Sequence, residues 1–288
     1  MEPTFVLIQL LNAVQQGLLL FLVASGLTLI FGVMGLINLA HGSLYMLGAY
    51  AVYALTALVG NFFIALALGV AAAAVFGWTL ERLLFVHLYR RDHLSQVLAT
   101  FGLILLFEEL RSLIWGDDVH GLPVPAWLAG SIPLTDTLSY PVYRLAVSAV
   151  CLFLAGALFA GLQGTRLGMA IRAGSRDRIL VAALGIDIAR IQTCVFTLGV
   201  LLAMTAGMLA APIESLAPHM GTRILIPSFI VVVLGGLGSV RGALVASLLL
   251  GVVDTFGQVW LPELAGAMVY LLMALTLFLR PAGLFARA

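Results

Sequence analysis

Four polar side chains crowd one uncharged, glycine-rich stretch of this chain. In GLINLAHGSLYMLGAY (35–50), Asn38, His41, Ser43 and Tyr45 offer an amide, an imidazole and two hydroxyls. Such groups hold a small polar solute through hydrogen bonds and dipoles rather than through net charge. Asn38 and His41 lie three apart and Asn38 and Tyr45 seven apart, so a helix through them would carry all three on one face. Polar groups at membrane depth face a bundle interior or a water-filled path. His41 could therefore bond a neighbouring helix and glue the fold, or the set could line a pathway.

A second stretch, PSFIVVVLGGLGSVRGALVASLLLG (227–251), places Gly235, Gly236, Gly238 and Ser239 close together. Each glycine costs about 1 kcal/mol against alanine in a helix, so the spacing predicts a break in a span. Non-helical backbone at depth survives only where protein or water covers it, and transporters use broken spans at substrate sites. Gly236, Gly238 and Gly242 lack the spacing of a dinucleotide fingerprint and follow no soluble strand, so that chemistry is excluded. Gly35 and Gly42-Ser43-Leu44 are spaced like Gly235 and Gly242-Ala243-Leu244, a faint sign of internal duplication.

A third constellation is basic. Arg166, Arg172, Arg176, Arg178 and Arg190 interrupt an otherwise apolar chain. Between them, Ser175 can cap a short helix, Asp177 suits its positive end, Ile179, Leu180 and Val181 give it an apolar side, and Gly185 can end it after Leu184. At roughly nine residues it is too short to stand alone. It must dock on lipid or in the groove of a soluble partner.

The elements that must position these residues follow from composition. The chain is 62% hydrophobic and 9% charged over 288 residues, with a mean hydropathy of +1.15. Soluble domains carry about a quarter charged residues. Apolar stretches near 5–31, 38–59, 62–86, 94–115, 141–162, 191–214, 224–240, 242–260 and 264–280 recur at lengths suited to a ~30 Å core. The expected fold is all-α, a polytopic transmembrane bundle of eight or nine spans, one of them broken, in a single permease-like domain. Eleven of the fourteen arginines (82, 90, 91, 166, 172, 176, 178, 190, 241, 280 and 287) fall on one side of a nine-span layout. Cytoplasmic loops collect basic residues, so the N-terminus is expected outside and the C-terminus inside. The segment 116–140, with Asp117, Asp118, Asp136 and several prolines but no arginine, is expected to be an ordered external cap.

Several chemistries drop out. There is no lysine, so no Walker-type phosphate loop. Cys151 and Cys194 sit in apolar spans as small buried thiols. No cluster has metal-ligand spacing and no serine carries a nucleophile motif, so no catalytic or metal site is expected and the chain is not read as an enzyme. Nothing calls for a nucleic-acid partner. Glu2 stands where a cleaved leader would carry a basic residue, so the N-terminus is expected to be a retained first span. Glu108 and Arg111 are expected to pair within the fourth span, Asp254 has no evident partner, and His87, Asp92 and His93 should be solvated.

Taken together, GLINLAHGSLYMLGAY, the stretch from Arg166 to Gly199, LGGLGSVRGALVASLLLG and the ending LFLRPAGLF (277–285) resemble the membrane permease subunits of ABC importers for branched-chain amino acids. The resemblance covers nearly the whole chain. It implies a second, similar permease, two cytoplasmic ATPase subunits that use ATP and Mg, and a periplasmic or extracellular binding protein, with no cofactor bound by this chain. It also implies a bacterial inner membrane location and a coupling helix within 163–190, where Arg166, Arg172, Arg176, Asp177, Arg178, Leu184 and Gly185 would meet the ATPase. The loop motif of other ABC importers is matched poorly, with Ala182, Ala183 and Gly185 compressed, and Arg176 stands where related chains often carry Glu or Gln. The expected mechanism is alternating access. A binding protein would dock on 116–140 and on the loop from Glu214 to Arg223. The path would lie between Asn38, His41, Ser43 and Tyr45 on one side and Gly235–Ser239 on the other. The rival class is a transporter or channel driven by an ion gradient through His41, Glu108 or Asp254.

Overall fold

The computed structural model describes residues 3–134 and 138–285. Glu2, Asp136, Arg287 and the side chain of Ile179 lie outside the described residues. The first helix, α1 (Pro3–Met34), is apolar around its whole circumference, which suits a central position. Every residue from Leu18 to Ile30 is buried. Around it run α2 (His41–Val59), α3 (Phe62–Leu80, prolonged by a π-helical turn, Glu81–Phe85, to Leu88), α4 (His93–Trp115), α5 (Val142–Gly164), α6 (Arg166–Gly174), α7 (Arg178–Ala183), α8 (Ile188–Ala210), α9 (Met220–Gly235), α10 (Val240–Trp260) and α11 (Ala265–Leu279).

Each of the nine apolar stretches falls on one of these helices. Seven helices are long and apolar enough to cross a membrane: Thr4–Met34, His41–Val59, Phe62–Leu88, Val142–Gly164, Ile188–Ala210, Val240–Trp260 and Pro262–Leu279. These seven are counted among the described residues by length and composition alone; α4 and α9 are the two apolar helices outside that set. The helix α4 carries Glu108, Glu109 and Arg111 along its last third. With 16 residues, α9 rises only about 24 Å, short of a ~30 Å core.

Neighbouring helices reverse direction. Along α1, Gly32 meets Gly238 in the turn before α10, Gly17 meets Ser247 and Leu248 of α10, and Ala13 meets Gly251, so α1 and α10 are antiparallel. Along α3 and α8, Glu81 meets Thr193, Gly77 meets Val200 and Gly69 meets Met208, again antiparallel. Small residues permit the close approach, as expected in lipid. A side chain at Gly48 would strike the Met204 backbone, and one at Gly207 would strike the Tyr45 carbonyl, so α2 and α8 touch backbone to backbone. Cys151 is buried as expected, whereas Cys194 is exposed on the surface of α8.

The fold is mainly helical, as expected, with a short antiparallel pair in the 116–140 cap, Ser131–Pro133 (β1) against Ser139–Pro141 (β2). The glycine-rich break lies elsewhere than expected. Residues 236–239 form the tight turn between α9 and α10, beside Gly32 near the end of α1, not a gap within a span. Gly236 and Gly238 occupy left-handed backbone, at φ of 93° and 79°, and that turn ends α9. Non-helical backbone at depth occurs instead at 35–40. There the chain leaves α1 and climbs back until His41 meets Val23, roughly 16 Å up the α1 axis at 1.5 Å per residue.

Candidate functional site

Asn12 and Gly32 on α1 stand about 30 Å apart at 1.5 Å per residue, and the polar residues gather at these two levels. At the Gly32 level, Thr165 Oγ1 accepts from the Gly168 amide at 2.9 Å and caps α6. Gly168 lets α6 turn tightly against the last carbonyls of α5. Asp177, rather than Ser175, caps α7, accepting from the Leu180 amide at 3.0 Å. The Ser175 hydroxyl instead donates to the Arg172 carbonyl at 2.9 Å. Gly185, at φ 78°, follows α7 in the left-handed region. The short helix is six residues long, not nine. Val181 is buried while Leu180 and Leu184 stand 58% and 71% exposed, so one apolar side holds the bundle and another faces away from it. Arg166, Arg176, Arg178 and Arg190 are exposed, and Arg190 pairs with Asp187 at 2.9 Å.

Segments far apart in sequence converge here. A Cβ at Gly35 would come within 3.1 Å of Arg178 Nη2, so the guanidinium lies against the start of the 35–40 connection. The amides of Leu284 and Phe285 donate to the carbonyls of Leu234 (2.7 Å) and Gly235 (3.3 Å). They satisfy acceptors that the end of α9 leaves without helical partners. A cavity of about 330 Å³ is lined by Gly32, Arg172, Ser175, Ser239, Arg241 and Phe285.

Midway along α1, the four polar residues of 35–50 separate. Gly35, at φ 64°, ends α1, and Asn38 lies in the connection with its Oδ1 accepting from the Ala40 amide at 3.1 Å. Because α2 begins at His41, the expected helical face through Asn38 does not exist. The His41 Nε2 donates to the Val23 carbonyl at 3.0 Å, which places a proton on Nε2. Asn38 Nδ2 and His41 Nδ1 are buried with no hydrogen-bond partner among the described residues. Ser43 is buried as well.

Of the four, Tyr45 reaches toward the Asn12 level. Its hydroxyl donates to Glu214 Oε2 at 2.9 Å. Both line a cavity of about 450 Å³ together with Gln16, Arg223 and Asp254. Asp254 accepts from Gln258 Nε2 at 3.0 Å. Sequence reasoning assigned Glu214 and Arg223 to a docking loop and left Asp254 unpaired, because nothing in spacing joins residues of separate helices. The structure does not gather the expected path into one site: Tyr45 faces this cavity, whereas Gly238 and Ser239 face the other.

At the start of the 116–140 cap, Arg111 binds Glu108 at 3.2 Å, as expected, and also Asp117 at 2.8 Å and the Gly116 carbonyl. The Arg111 guanidinium and the Ser112 hydroxyl hold the Asp117 carboxyl below its ordinary value. Glu108 accepts the His219 amide at 3.0 Å. His120 and Leu216 exchange backbone hydrogen bonds at 2.9 Å each, and Tyr53 stacks on His120. The 116–140 cap is thereby tied to the 211–219 connection. At the opposite level Asp92 is not merely solvated: it caps α4 through Ser95, whose hydroxyl and amide hold its carboxyl below the ordinary value. Among the described residues no three His, Cys, Asp or Glu side chains gather as a metal would require.

The family model described as branched-chain amino acid transport system / permease component matches residues 9–277. The chain belongs to this permease family. It is 28% identical to the high-affinity branched-chain amino acid transport system permease protein LivH of Salmonella typhimurium, over 97% of this chain and 95% of that one. It is 28% identical to BraD of Pseudomonas aeruginosa, with the same coverage, and 25% identical to the probable LivH of Methanocaldococcus jannaschii, over 95% of this chain and 90% of that one. The match to the family model takes in both levels of this permease, from Asn12 and the 116–140 cap to α6, α7 and the 236–239 turn.

Proposed function

We propose that this permease is the membrane subunit of an ATP-driven importer of branched-chain amino acids, working by alternating access in a bacterial inner membrane. The substrate class is that of the relatives' names. In this reading all nine apolar helices cross or enter the bilayer, with the Asn12 level outside and the Gly32 level inside. The arginines at 82, 90, 91, 166–190, 241 and 280 then face the cytoplasm. A second permease completes the pathway, two ATPase subunits supply ATP and Mg chemistry, and a binding protein docks on the joined 116–140 and 211–219 segments.

The observation that carries this reading is the construction of α7. It is too short to stand alone, is anchored through Val181, presents Leu180 and Leu184 outward, and lays Arg178 on Gly35. A soluble partner gripping Leu184 and the exposed arginines can pull on the 35–40 connection and so on Asn38 and His41. Their unpartnered polar atoms are free to find partners in a second conformation. The path starts at the cavity beside Tyr45 and ends near Gly238 and Ser239.

Mild-detergent purification of the tagged permease from its native membrane, with mass spectrometry and an ATPase assay, tests the assembly. ATPase subunits and a second permease are expected to co-purify; a chain that purifies alone without ATPase activity favours a gradient-driven carrier. Gly185→Pro combined with Arg178→Glu tests the coupling role, since proline cannot adopt a positive φ. Transport should be lost while the protein stays folded in the membrane, and unchanged uptake removes α7 from the mechanism.

A further inference from the structure

Two opposite charges face the cavity beside Tyr45 without joining each other. Arg223 lies in the first turn of α9 and Asp254 in the last two turns of α10, and both line the cavity. Among the described residues the Arg223 guanidinium has no hydrogen bond or ion pair. One Asp254 oxygen takes the Gln258 amide, and the other is left for a further donor. Across the same space, Glu214 Oε2 is occupied by the Tyr45 hydroxyl. Between these groups the wall is aliphatic, built from Leu20, Ile224, Pro227 and Leu250.

A carboxylate, an ammonium and an aliphatic side chain carried on one carbon match this set of surfaces. The planar guanidinium of Arg223 suits a carboxylate, and the positive end of α9 adds to its field. The Asp254 carboxylate suits an ammonium. A volume of about 450 Å³ falls in the roughly 300–1,000 Å³ range of small-ligand pockets. A simple amine leaves Arg223 unanswered, and a simple acid leaves Asp254 unanswered.

We propose that this cavity is a transit site for the zwitterion of an aliphatic amino acid, with Arg223 on the carboxylate and Asp254 on the ammonium. Selection then occurs inside the permease as well as in the protein that delivers the solute. The inference rests on the import reading above.

The complete transporter reconstituted in vesicles, supplied with saturating leucine-loaded binding protein, provides the test, read as leucine delivered per ATP hydrolysed. Asp254→Asn and Arg223→Gln should each lower that ratio about tenfold, the loss of one charge-assisted contact, and Asp254→Glu should recover part of it. Uptake and hydrolysis falling in step, or neither falling, overturns the site. A wild-type assembly that hydrolyses ATP but carries no leucine, isoleucine or valine sinks the import reading instead. Should the variants fail to assemble, melting of the unmodified complex decides. Leucine should raise its melting temperature, while 3-methylbutylamine and 4-methylpentanoate at equal concentration should not. Equal shifts from all three overturn the proposal.

Discussion

The two ends of this bundle are fastened by different means. At the Asn12 end the fastenings are side chains: Arg111 with Glu108 and Asp117, Tyr45 with Glu214, Tyr53 on His120, Arg144 and Tyr140 on Asn12. At the Gly32 end they are largely backbone: Gly235 against Gly242, Gly32 against Gly238, and the Leu284 and Phe285 amides on the carbonyls of α9. Side-chain contacts can be exchanged one at a time as rotamers change. Backbone contacts between packed helices have no such slack, because interiors are close-packed and respond as units. One end can therefore rearrange contact by contact, while the other moves as a unit.

Breaking the rigid end should cost most. In Gly235→Val the new Cβ would meet the Gly242 carbonyl carbon and the Ala243 amide at 2.5 and 2.6 Å, backbone that cannot step aside. A loss of more than about 3 kcal/mol is expected, read as absence of folded protein after detergent extraction. Normal yield and melting temperature would refute the backbone clamp. The adjustable end should lose less. Arg111→Leu leaves Glu108 without its cation, at a cost of about 2–3 kcal/mol, and should free the 116–140 cap to proteolysis while α7 and its surroundings keep native protection. Cleavage appearing at both ends would show that the ends are not independent.

Midway, His41→Gln should cost about 1 kcal/mol, one neutral hydrogen bond to Val23, and lower transport without altering its pH dependence. A lost pH dependence would make His41 a proton carrier. The smallest effect belongs to Asp117. Its carboxyl is held below the ordinary 3.8 by Arg111 and Ser112. Its contribution is therefore present above that value and lost as pH falls through the lower folded one. Melting curves of wild type and Asp117→Asn between pH 7 and 3 should converge at the acid end. A constant gap would show that Asp117 acts by shape rather than charge.

Much of the fold was legible in the residues themselves. Length and apolarity marked the helices, and Gly185 marked the end of the short helix α7, where the backbone is left-handed. The Glu108–Arg111 pair was readable because i,i+3 neighbours face each other on a helix. What spacing could not give was depth. The sequence reads LINLAH as the opening of a helix and LGGLGS as a gap in one, whereas the structure makes the first a buried climb and the second a turn at the end of the bundle. The difference comes from partners far along the chain: Val23 receives His41, and Gly32 receives Gly238. The cavity shared by Tyr45, Glu214, Arg223 and Asp254 was invisible for the same reason, since its residues come from two helices and the connection before α9 as well as from α2.

The Leu284 and Phe285 amides on the α9 carbonyls also set an order of manufacture. As the chain emerges, the 236–239 turn and α10 arrive while the acceptors at Leu234 and Gly235 still lack their donors. Those donors come only after α11 has been made and has folded back along the bundle. Until then the end of α9 carries open acceptors that only water can satisfy. Docking of the segment after α11 is thus what closes the end of the bundle where α6 and α7 are built.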